Sequence, residues 1–161
     1  MPHQGSSLEC TLLKIYVVRK IILDYLAHRE PHFLNSRIIT LAGLFSDTEN
    51  YVCAHTILDV NYFLRKQYGS TKAQDIIEQN LNFLNLAPTT EIEISKALTY
   101  RWNDFEDAVV SASAETICAD FIITRNKKDF KMSKIRVLTP SEFLDWLEGN
   151  NIVLDVLDLC E

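Results

Sequence analysis

Four aspartates in this 161-residue chain stand just after apolar, β-rich segments or early in the helical segment that follows: Asp59, Asp104, Asp107 and Asp129. Carboxylates that separate segments bring to one point bind Mg²⁺ or Mn²⁺, because hard cations prefer oxygen ligands. A bound ion of this kind can activate water for attack on a phosphodiester. The pattern therefore predicts metal-dependent phosphodiester hydrolysis, provided that the fold brings Asp59, Asp107 and Asp129 together.

Asp59 and Asp129 also have structural interpretations, which the sequence leaves open. The run from Thr56 to Asp59 fits a capping box, in which case Asp59 only caps a helix. The neighbours of Asp59 are unusually apolar, which favours a buried acid with a function instead. Asp129 stands in a polar stretch that is equally typical of a surface loop.

Asp104 and Asp107 open a long helical segment, and there too a structural role competes with a functional one. Asp104 fits an N-cap, with further acids in the first turn that the helix dipole favours. Asp104, Asp107, Ser111 and Glu115 share one helical stripe, which is also what a solvated helix face presents. Small and apolar residues form the opposite, packing face: Phe105, Ala108, Val109, Ala112 and Thr116.

Short β-rich segments alternate with helical segments along the whole chain. Strands are predicted at 14–18, 51–54, 85–88, 120–124 and 135–139. Helices are predicted at 21–27, 35–45, 56–68, 71–84, 91–102, 104–118 and 140–147. Such alternation is typical of βαβ units, whose strands form a parallel sheet covered by helices on both faces. The sequence therefore predicts a three-layer α/β/α domain with about five parallel strands.

One domain accounts for the chain, since about 150 residues make a domain of ordinary size. We expect a polar N-terminal arm over 1–13, the α/β domain over 14–147, and a tail over 148–161 whose apolar residues have no obvious partner. In open parallel sheets ligands bind beyond the carboxyl ends of the strands. The side chains that follow the predicted strands are therefore the ones that could form a site.

Composition and charge exclude several classes of protein. The hydrophobic fraction of 47% and charged fraction of 24% are those of a globular chain rather than a disordered one. The net charge of −6 argues against a protein that coats duplex DNA, although a local basic patch remains compatible with it. No run of 18 uncharged apolar residues exists, so no membrane span is predicted.

The cysteines and the polar N-terminus indicate a cytoplasmic protein. Cys10, Cys53, Cys118 and Cys160 are far apart and form no CxxC pair, which makes a zinc or redox motif improbable. Cysteines of this kind are mostly small buried hydrophobes, consistent with a reducing cytosol. The start of the chain is polar, and Lys14 interrupts the first apolar run, unlike a signal peptide.

The segment 104–130, DFEDAVVSASAETICADFIITRNKKDF, resembles the late part of PIN domains, the fold of the ribonuclease toxins in many bacterial toxin–antitoxin pairs. Segments 12–30, 54–66 and 135–147 resemble, in the same order, the family's first strand and helix, its second-acid helix, and its last strand and helix. The likeness spans about 14–147. It implies a parallel sheet and a ribonuclease that prefers single-stranded RNA, requires Mg²⁺ or Mn²⁺, forms homodimers and is inhibited by an antitoxin.

The resemblance also implies roles for individual residues. The catalytic and metal-binding acids would be Asp59, Asp107 and Asp129, with Asp104 as an auxiliary metal-binding acid. The polar residues that support the site would be Thr124, Asn126 and Asp24.

The chain departs from the family pattern at the first metal ligand. The family's first strand normally ends in Asp-Thr-Asn, whereas this chain has Val18, Arg19 and Lys20. The charge of the triplet changes from −1 to +2, and charges about 4 Å apart interact by about 4 kcal/mol at an effective dielectric of 20. One hypothesis is that Arg19 or Lys20 pairs with the acids and takes the metal's place. The other is that both side chains extend into solvent.

A basic segment follows the fourth predicted strand and could bind phosphates of RNA through Arg125, Lys127 and Lys128. A solvated loop would show the same charges, and the histidines lack the spacing of metal ligands. Two function classes remain: a metal-dependent endoribonuclease of toxin type with a compromised first ligand, or a degenerate PIN domain that binds RNA or a protein without cleaving. A phosphoacceptor receiver domain is disfavoured, because it needs an acid pair after the first strand.

Overall fold

All five strands expected from the sequence form, and they pair into one parallel sheet. The structure, a computed structural model, describes residues 12–159 and the side chains of 12–157. The strands are β1 (Leu13–Val17), β2 (Thr48–Cys53), β3 (Leu84–Ala87), β4 (Phe121–Ile123) and β5 (Arg136–Leu138). Their order across the sheet is β3-β2-β1-β4-β5, and every neighbouring pair is parallel. The predicted three-layer α/β/α fold is confirmed.

Seven α-helices within the described residues connect the strands. They are α1 (Arg19–Leu26), α2 (Phe33–Leu44), α3 (Ala54–Tyr68), α4 (Ser70–Leu81), α5 (Glu91–Tyr100), α6 (Phe105–Thr116) and α7 (Pro140–Gly149). Two 3₁₀ turns follow β4 and α7, at Lys127–Phe130 and Asp155–Leu159. No helix between residues 12 and 159 has both the length and the apolar character needed to cross a bilayer.

The central strand β1 divides the core between two helical layers. Ile15 and Val17 are buried with side chains of α1, α2, α3, α4 and α7, whereas Tyr16 between them is buried with side chains of α6. Successive residues of a strand point to opposite faces, so a continuous apolar run is needed when both faces are covered. Helix α5 lies outside this second layer and packs against α6 through Ala97, Ala108 and other small side chains.

Strand β2 begins three residues before the predicted start, and a buried amide explains why. Thr48 and Asn50 are polar yet buried, which hid the strand from a pattern based on hydrophobicity. The Thr48 hydroxyl donates to Asn50 Oδ1 at 2.5 Å, and Asn50 Nδ2 donates to the carbonyl of Ile39 at 2.9 Å. The amide is therefore satisfied inside the protein and joins β2 to α2.

The alternative that Asp59 only caps a helix is wrong, because α3 starts directly after β2, five residues before Asp59. Its first residue is Ala54 and its N-cap is Cys53, which makes no side-chain capping bond, so Asp59 lies inside the helix. Asp104 does cap α6, since its carboxylate accepts the backbone N–H of Asp107 at 3.2 Å.

The stripe of Asp107, Ser111 and Glu115 on α6 is not simply a solvated face. Helix α6 packs against the sheet on one side and against α5 on another. Every residue from Ala108 to Ala114 is buried. Ser111 Oγ shares a hydrogen bond of 2.9 Å with Ser133 Oγ, and Glu115 pairs with Lys96 at 2.6 Å.

The chain beyond α7 finds a partner that the sequence did not indicate. Leu154 and Val156 are both 1% exposed and belong to the main core cluster. The backbone N–H of Val156 donates to Asp47 Oδ2 at 3.3 Å, and the 3₁₀ turn at Asp155–Leu159 packs on α2. The described part of the tail therefore completes the layer that contains α2 and α7.

Candidate active site

A small cavity of about 50 Å³ lies where β1 and β4 end and α6 begins. Acidic, basic and apolar side chains share its lining: Val18, Arg19, Lys20, His55, Thr56, Glu106, Asp107, Val110, Thr124, Asp129 and Phe130. Val18 follows the last residue of β1, and Thr124 follows the last residue of β4. The site thus lies at the carboxyl edge of the sheet, where the sequence predicted it.

Asp107 is the most perturbed acid of this cavity. Partial burial raises its pKa to about 6, and the negative charges of Asp104, Asp129 and Glu106 add to the shift. Lys20 acts in the opposite direction but does not offset the others. Negative charges that raise the pKa of a neighbouring carboxyl act on it through a local electric field, so Asp107 and the acids around it form one anionic group. Asp107 and Asp129, taken from distant parts of the chain, are thus brought together.

Arg19 separates Asp59 from the other two predicted ligands. Its Nη1 atom donates to Asp59 Oδ2 at 2.5 Å and lies 3.4 Å from Glu106 Oε1. The bond to Asp59 is the main reason why the pKa of Arg19 is raised, so the guanidinium stays charged. Asp59 is not among the residues that line the cavity, and it is bonded to Arg19, which does line it. Arg19 therefore does not extend freely into solvent.

His55 adds a second positive charge beside Glu106. A hydrogen bond with Cys53 raises the pKa of His55 to about 9, and the contact of His55 Nε2 with Glu106 Oε1 at 3.2 Å contributes further. Burial alone would raise the pKa of the Cys53 thiol, but interactions with His55 and with Thr89, whose Oγ1 lies 3.2 Å from Cys53 Sγ, contribute to lowering it overall. Glu106 is thus held between Arg19 and His55 at the cavity edge.

The segment after β4 positions Asp129 through its own polar side chains. Asn126 Nδ2 donates to Asp129 Oδ2 at 2.6 Å, and the backbone N–H of Asn126 donates to Thr124 Oγ1 at 3.2 Å. Thr124 is buried at the cavity wall. Asn126 and Thr124 therefore orient the loop carboxylate, an arrangement that suits the supporting role expected for both.

Asp24 on α1 holds the start of the same segment through an ion pair with Arg125. Its carboxylate is fully buried on α1, and Oδ2 lies 2.9 Å from Nε of Arg125 with the geometry of an ion pair rather than a directional hydrogen bond. Burial raises the pKa of Asp24, whereas Arg125 lowers it. The pair fastens the start of the loop to α1. Arg125, predicted to bind RNA, thus has an internal partner.

The remaining predicted basic residues differ in their partners. Lys127 Nζ pairs with Glu142 at 3.0 Å at the start of α7. Lys20 and Lys128 are exposed and form no ion pair within the described residues. Lys128 is therefore the most available of the three residues predicted to bind RNA.

A family model described as PIN domain matches residues 20–128, which is more than half of the chain. This chain belongs to the PIN domain family. The matched segment begins at Lys20, immediately after Val18 and Arg19, and includes Asp59, Asp104 and Asp107, while Asp129 directly follows its last residue. None of the curated proteins compared with the chain is similar enough to count as a relative.

Solved structures share the fold at low sequence identity. VapBC-1 from nontypeable Haemophilus influenzae has a TM-score of 0.60 at 15% identity, covering 80% of this chain and 99% of that one. A toxin–antitoxin complex from Klebsiella pneumoniae has a TM-score of 0.59 at 18% identity, covering 78% and 97%. VapBC2 from Rickettsia felis, bound to a DNA fragment from its promoter, has a TM-score of 0.57 at 15% identity, covering 78% and 98%. At these identities the likeness establishes the fold alone.

The divalent ion that membership of the PIN family implies does not fit the site as it stands. Within residues 12–157, no three His, Cys, Asp or Glu side chains come together as ligands for one ion. Val18 contributes an alkyl group to the cavity wall, and Asp59 is bonded to Arg19. Of the predicted ligands, Asp107 and Asp129 line the cavity, and Glu106, Arg19 and Lys20 line it beside them.

Sequence reasoning missed Glu106 and gave His55 no role at the site. The pair is visible only in three dimensions, because 51 positions separate the two residues. Glu106 follows a capping residue and precedes a candidate ligand, so its charge was attributed to the helix dipole. The signal that could have identified Glu106 is the run of three acids between 104 and 107. Acids this close together repel one another, so cations are expected nearby.

Replacing Asp107 by Asn tests whether burial and the neighbouring acids together destabilise the charged form of Asp107. The folded-state pKa of about 6 lies above the ordinary value of 3.8, so ionising Asp107 destabilises the fold. This destabilisation is absent below about pH 4 and fully present above about pH 6. We therefore expect Asp107→Asn to raise the free energy of unfolding by roughly 1 kcal/mol at pH 7.5, allowing for solvent screening, and to leave it unchanged at pH 3.5.

Urea denaturation at the two pH values measures this difference. Asp145→Asn, which removes an exposed carboxylate from α7, is the matched control and is expected to change little at either pH. A loss of stability in Asp107→Asn at pH 7.5, or a gain of equal size at both pH values, would contradict the shared anionic group.

Proposed function

We propose that this protein is a toxin-type PIN domain that binds single-stranded RNA and whose hydrolytic centre no longer takes a divalent ion. The single observation that carries the proposal is the contact of Arg19 with Asp59 and Glu106. The guanidinium of Arg19, bonded to Asp59, neutralises a carboxylate that the family pattern assigns to the metal ion. Val18 adds to the effect, because it lines the cavity without an oxygen.

The RNA part of the proposal is supported by where the basic residues lie. Six of the sixteen lysines and arginines fall within 125–136, in a chain whose net charge is −6. Lys127, Lys128, Lys131 and Arg136 border a shallow groove on the outer side of Phe130, while the inner side of Phe130 borders the cavity. Cations concentrated beside an acidic centre attract phosphates electrostatically.

The competing function is metal-dependent cleavage, and one observation favours it. Asp107 and Asp129 are close enough for Asp129 to raise the pKa of Asp107, so part of an anionic site persists. Mg²⁺ often uses only one or two protein carboxylates together with substrate phosphates. Arg19 and Lys20 weigh against this function, because both cations compete with a metal for the same acids.

Restoring the missing carboxylate separates the two functions. Val18 is the N-cap of α1 and makes no capping bond, so Val18→Asp also supplies a cap and is compatible with folding. We expect no Mn²⁺-dependent cleavage of single-stranded RNA by the wild type, and cleavage by Val18→Asp combined with Arg19→Thr. Loss of even an outer partner of a metal ligand reduces activity about 10–100-fold, so the gain should reach about 100-fold or more.

Gel analysis of a labelled single-stranded RNA with and without Mn²⁺ provides the measurement. Val18→Asn combined with Arg19→Thr is the matched control, because it restores the cap without the charge and should stay inactive. Adding Asp107→Asn to the active variant should abolish cleavage. Mn²⁺-dependent cleavage by the wild type that is lost in Asp107→Asn would establish the competing function.

We further propose that the apolar face of α3 and α4 joins two copies of this chain. Leu58 is 70% exposed and Leu81 is 39% exposed, and both border a groove of about 750 Å³ between the two helices. Tyr62 and Phe63 extend the exposed apolar surface along α3. Polar side chains also line the groove, and exposed apolar residues rimmed by polar ones commonly mark a protein interface. An antitoxin, proposed from the toxin–antitoxin complexes among the structural neighbours, is the alternative partner for this face.

A charge placed in this groove tests the interface. We expect the wild type to sediment as a dimer at 50 µM, and Leu58→Glu to shift it towards monomer by at least tenfold in dissociation constant, because burying an unpaired charge is unfavourable. Leu98→Glu, at a 49% exposed site on α5, is the matched control and should remain dimeric. A monomeric wild type would contradict self-association and leave the face to an antitoxin.

A further inference from the structure

A second pocket, whose lining does not include Arg19, adjoins the candidate active site. It measures about 340 Å³ and lies between the α5–α6 connection, residues 100–104, and the chain at residues 128–132. Asp129 borders both this pocket and the cavity, so the two spaces are neighbours. The volume is within the range of pockets that take small molecules or single residues of a polymer.

Trp102 gives this pocket an aromatic wall. The indole packs edge-on against Phe130 with ring centroids 6.2 Å apart and lies 5.9 Å from the ring of Tyr100. Trp102 is partly buried, so the indole keeps some exposed surface at the pocket. Because Tyr100 and Phe130 already hold the indole in place, stacking a flat ligand on it would cost little side-chain entropy.

Charges of both signs surround the indole. Arg101, Lys128 and Lys131 border the pocket, and none of them forms an ion pair with another described residue. Asp104 and Asp129 also border it and offer carboxylate oxygens as hydrogen-bond acceptors. A free phosphate in this pocket would be attracted by the three cations and repelled by the two carboxylates. A nucleotide instead presents amino or imino donors on its base and negative oxygens on its phosphates, which matches this distribution.

We propose that this pocket holds one base of a single-stranded nucleic acid, stacked on Trp102, with the adjoining phosphates on Lys128 and Lys131. The inference rests on the proposed function and names the subsite through which the strand is held. Stacking on an aromatic side chain tolerates different bases, since every base has a π-face.

The two tryptophans of the chain provide a direct test. Trp146 packs on Phe121 and Phe143 in the other helical layer, so it serves as an internal reference. Hexaribonucleotides of A, C or U added to the Trp146→Phe protein are expected to quench the fluorescence of Trp102. The same oligonucleotides added to the Trp102→Phe protein should leave the fluorescence of Trp146 unchanged.

Affinity is measured separately, by anisotropy of fluorescein-labelled hexanucleotides. We expect Trp102→Leu to weaken binding about tenfold or more, and Trp102→Phe, which keeps a ring, to weaken it less than threefold. Lys128→Ala with Lys131→Ala tests the phosphate contacts without touching the core. It should lower the slope of log affinity against log salt by about 1.4, whereas Lys72→Ala on α4 should leave that slope unchanged.

The outcomes distinguish failure of this inference from failure of the proposed function. Binding that is equally tight in Trp102→Leu, or equally reduced by Lys72→Ala, overturns the base pocket and leaves RNA binding in place. Absence of binding by the wild-type chain overturns both proposals. Deoxyhexanucleotides run in parallel decide whether the sugar matters: equal affinity assigns the pocket to either nucleic acid, and tighter RNA binding assigns it to RNA.

Discussion

The ion pair between Arg19 and Asp59 is the interaction around which the site is arranged. It joins the first residue of α1 to the middle of α3, and Glu106 at 3.4 Å brings in the start of α6. Carboxylates crowded at one edge of a sheet destabilise the fold unless a cation lies among them. In an intact carboxylate centre a metal ion is that cation. In this chain a guanidinium of the protein lies beside one carboxylate, while Asp107 keeps a raised pKa.

The rest of the structure holds this edge in place. The continuous apolar run of β1 fixes Val18 and Arg19 at the end of the central strand, between the two helical layers. The buried pair of Asp24 and Arg125 fastens the chain after β4, and Asn126 then directs Asp129. A buried ion pair is weak evidence for stability, but breaking it leaves an uncompensated charge, so such a pair specifies one arrangement of the loop.

Much of the fold followed from the sequence, because strands and helices alternate with clear apolar periodicity. The exceptions have physical causes. Strand β2 starts at polar residues whose hydrogen bonds are satisfied internally by Asn50, and the burial of Leu154 depends on a surface of α2 that no local pattern describes. For the candidate site, the sequence identified the acids and the replaced triplet. It left open whether Arg19 or Lys20 pairs with the acids or both extend into solvent, because only the fold decides which side chain reaches Asp59.

The same edge of the sheet carries an acidic cavity and, next to it, an aromatic pocket with free cations. This juxtaposition suits the proposed strand of RNA, held by its base and phosphates beside a centre that we propose takes no divalent ion. Manganese anomalous scattering from crystals grown in 10 mM MnCl₂ tests the central claim most directly. The account predicts no anomalous peak among Asp59, Asp107 and Asp129, with Arg19 still bonded to Asp59. A manganese ion coordinated by these three carboxylates, with Arg19 displaced, would contradict it.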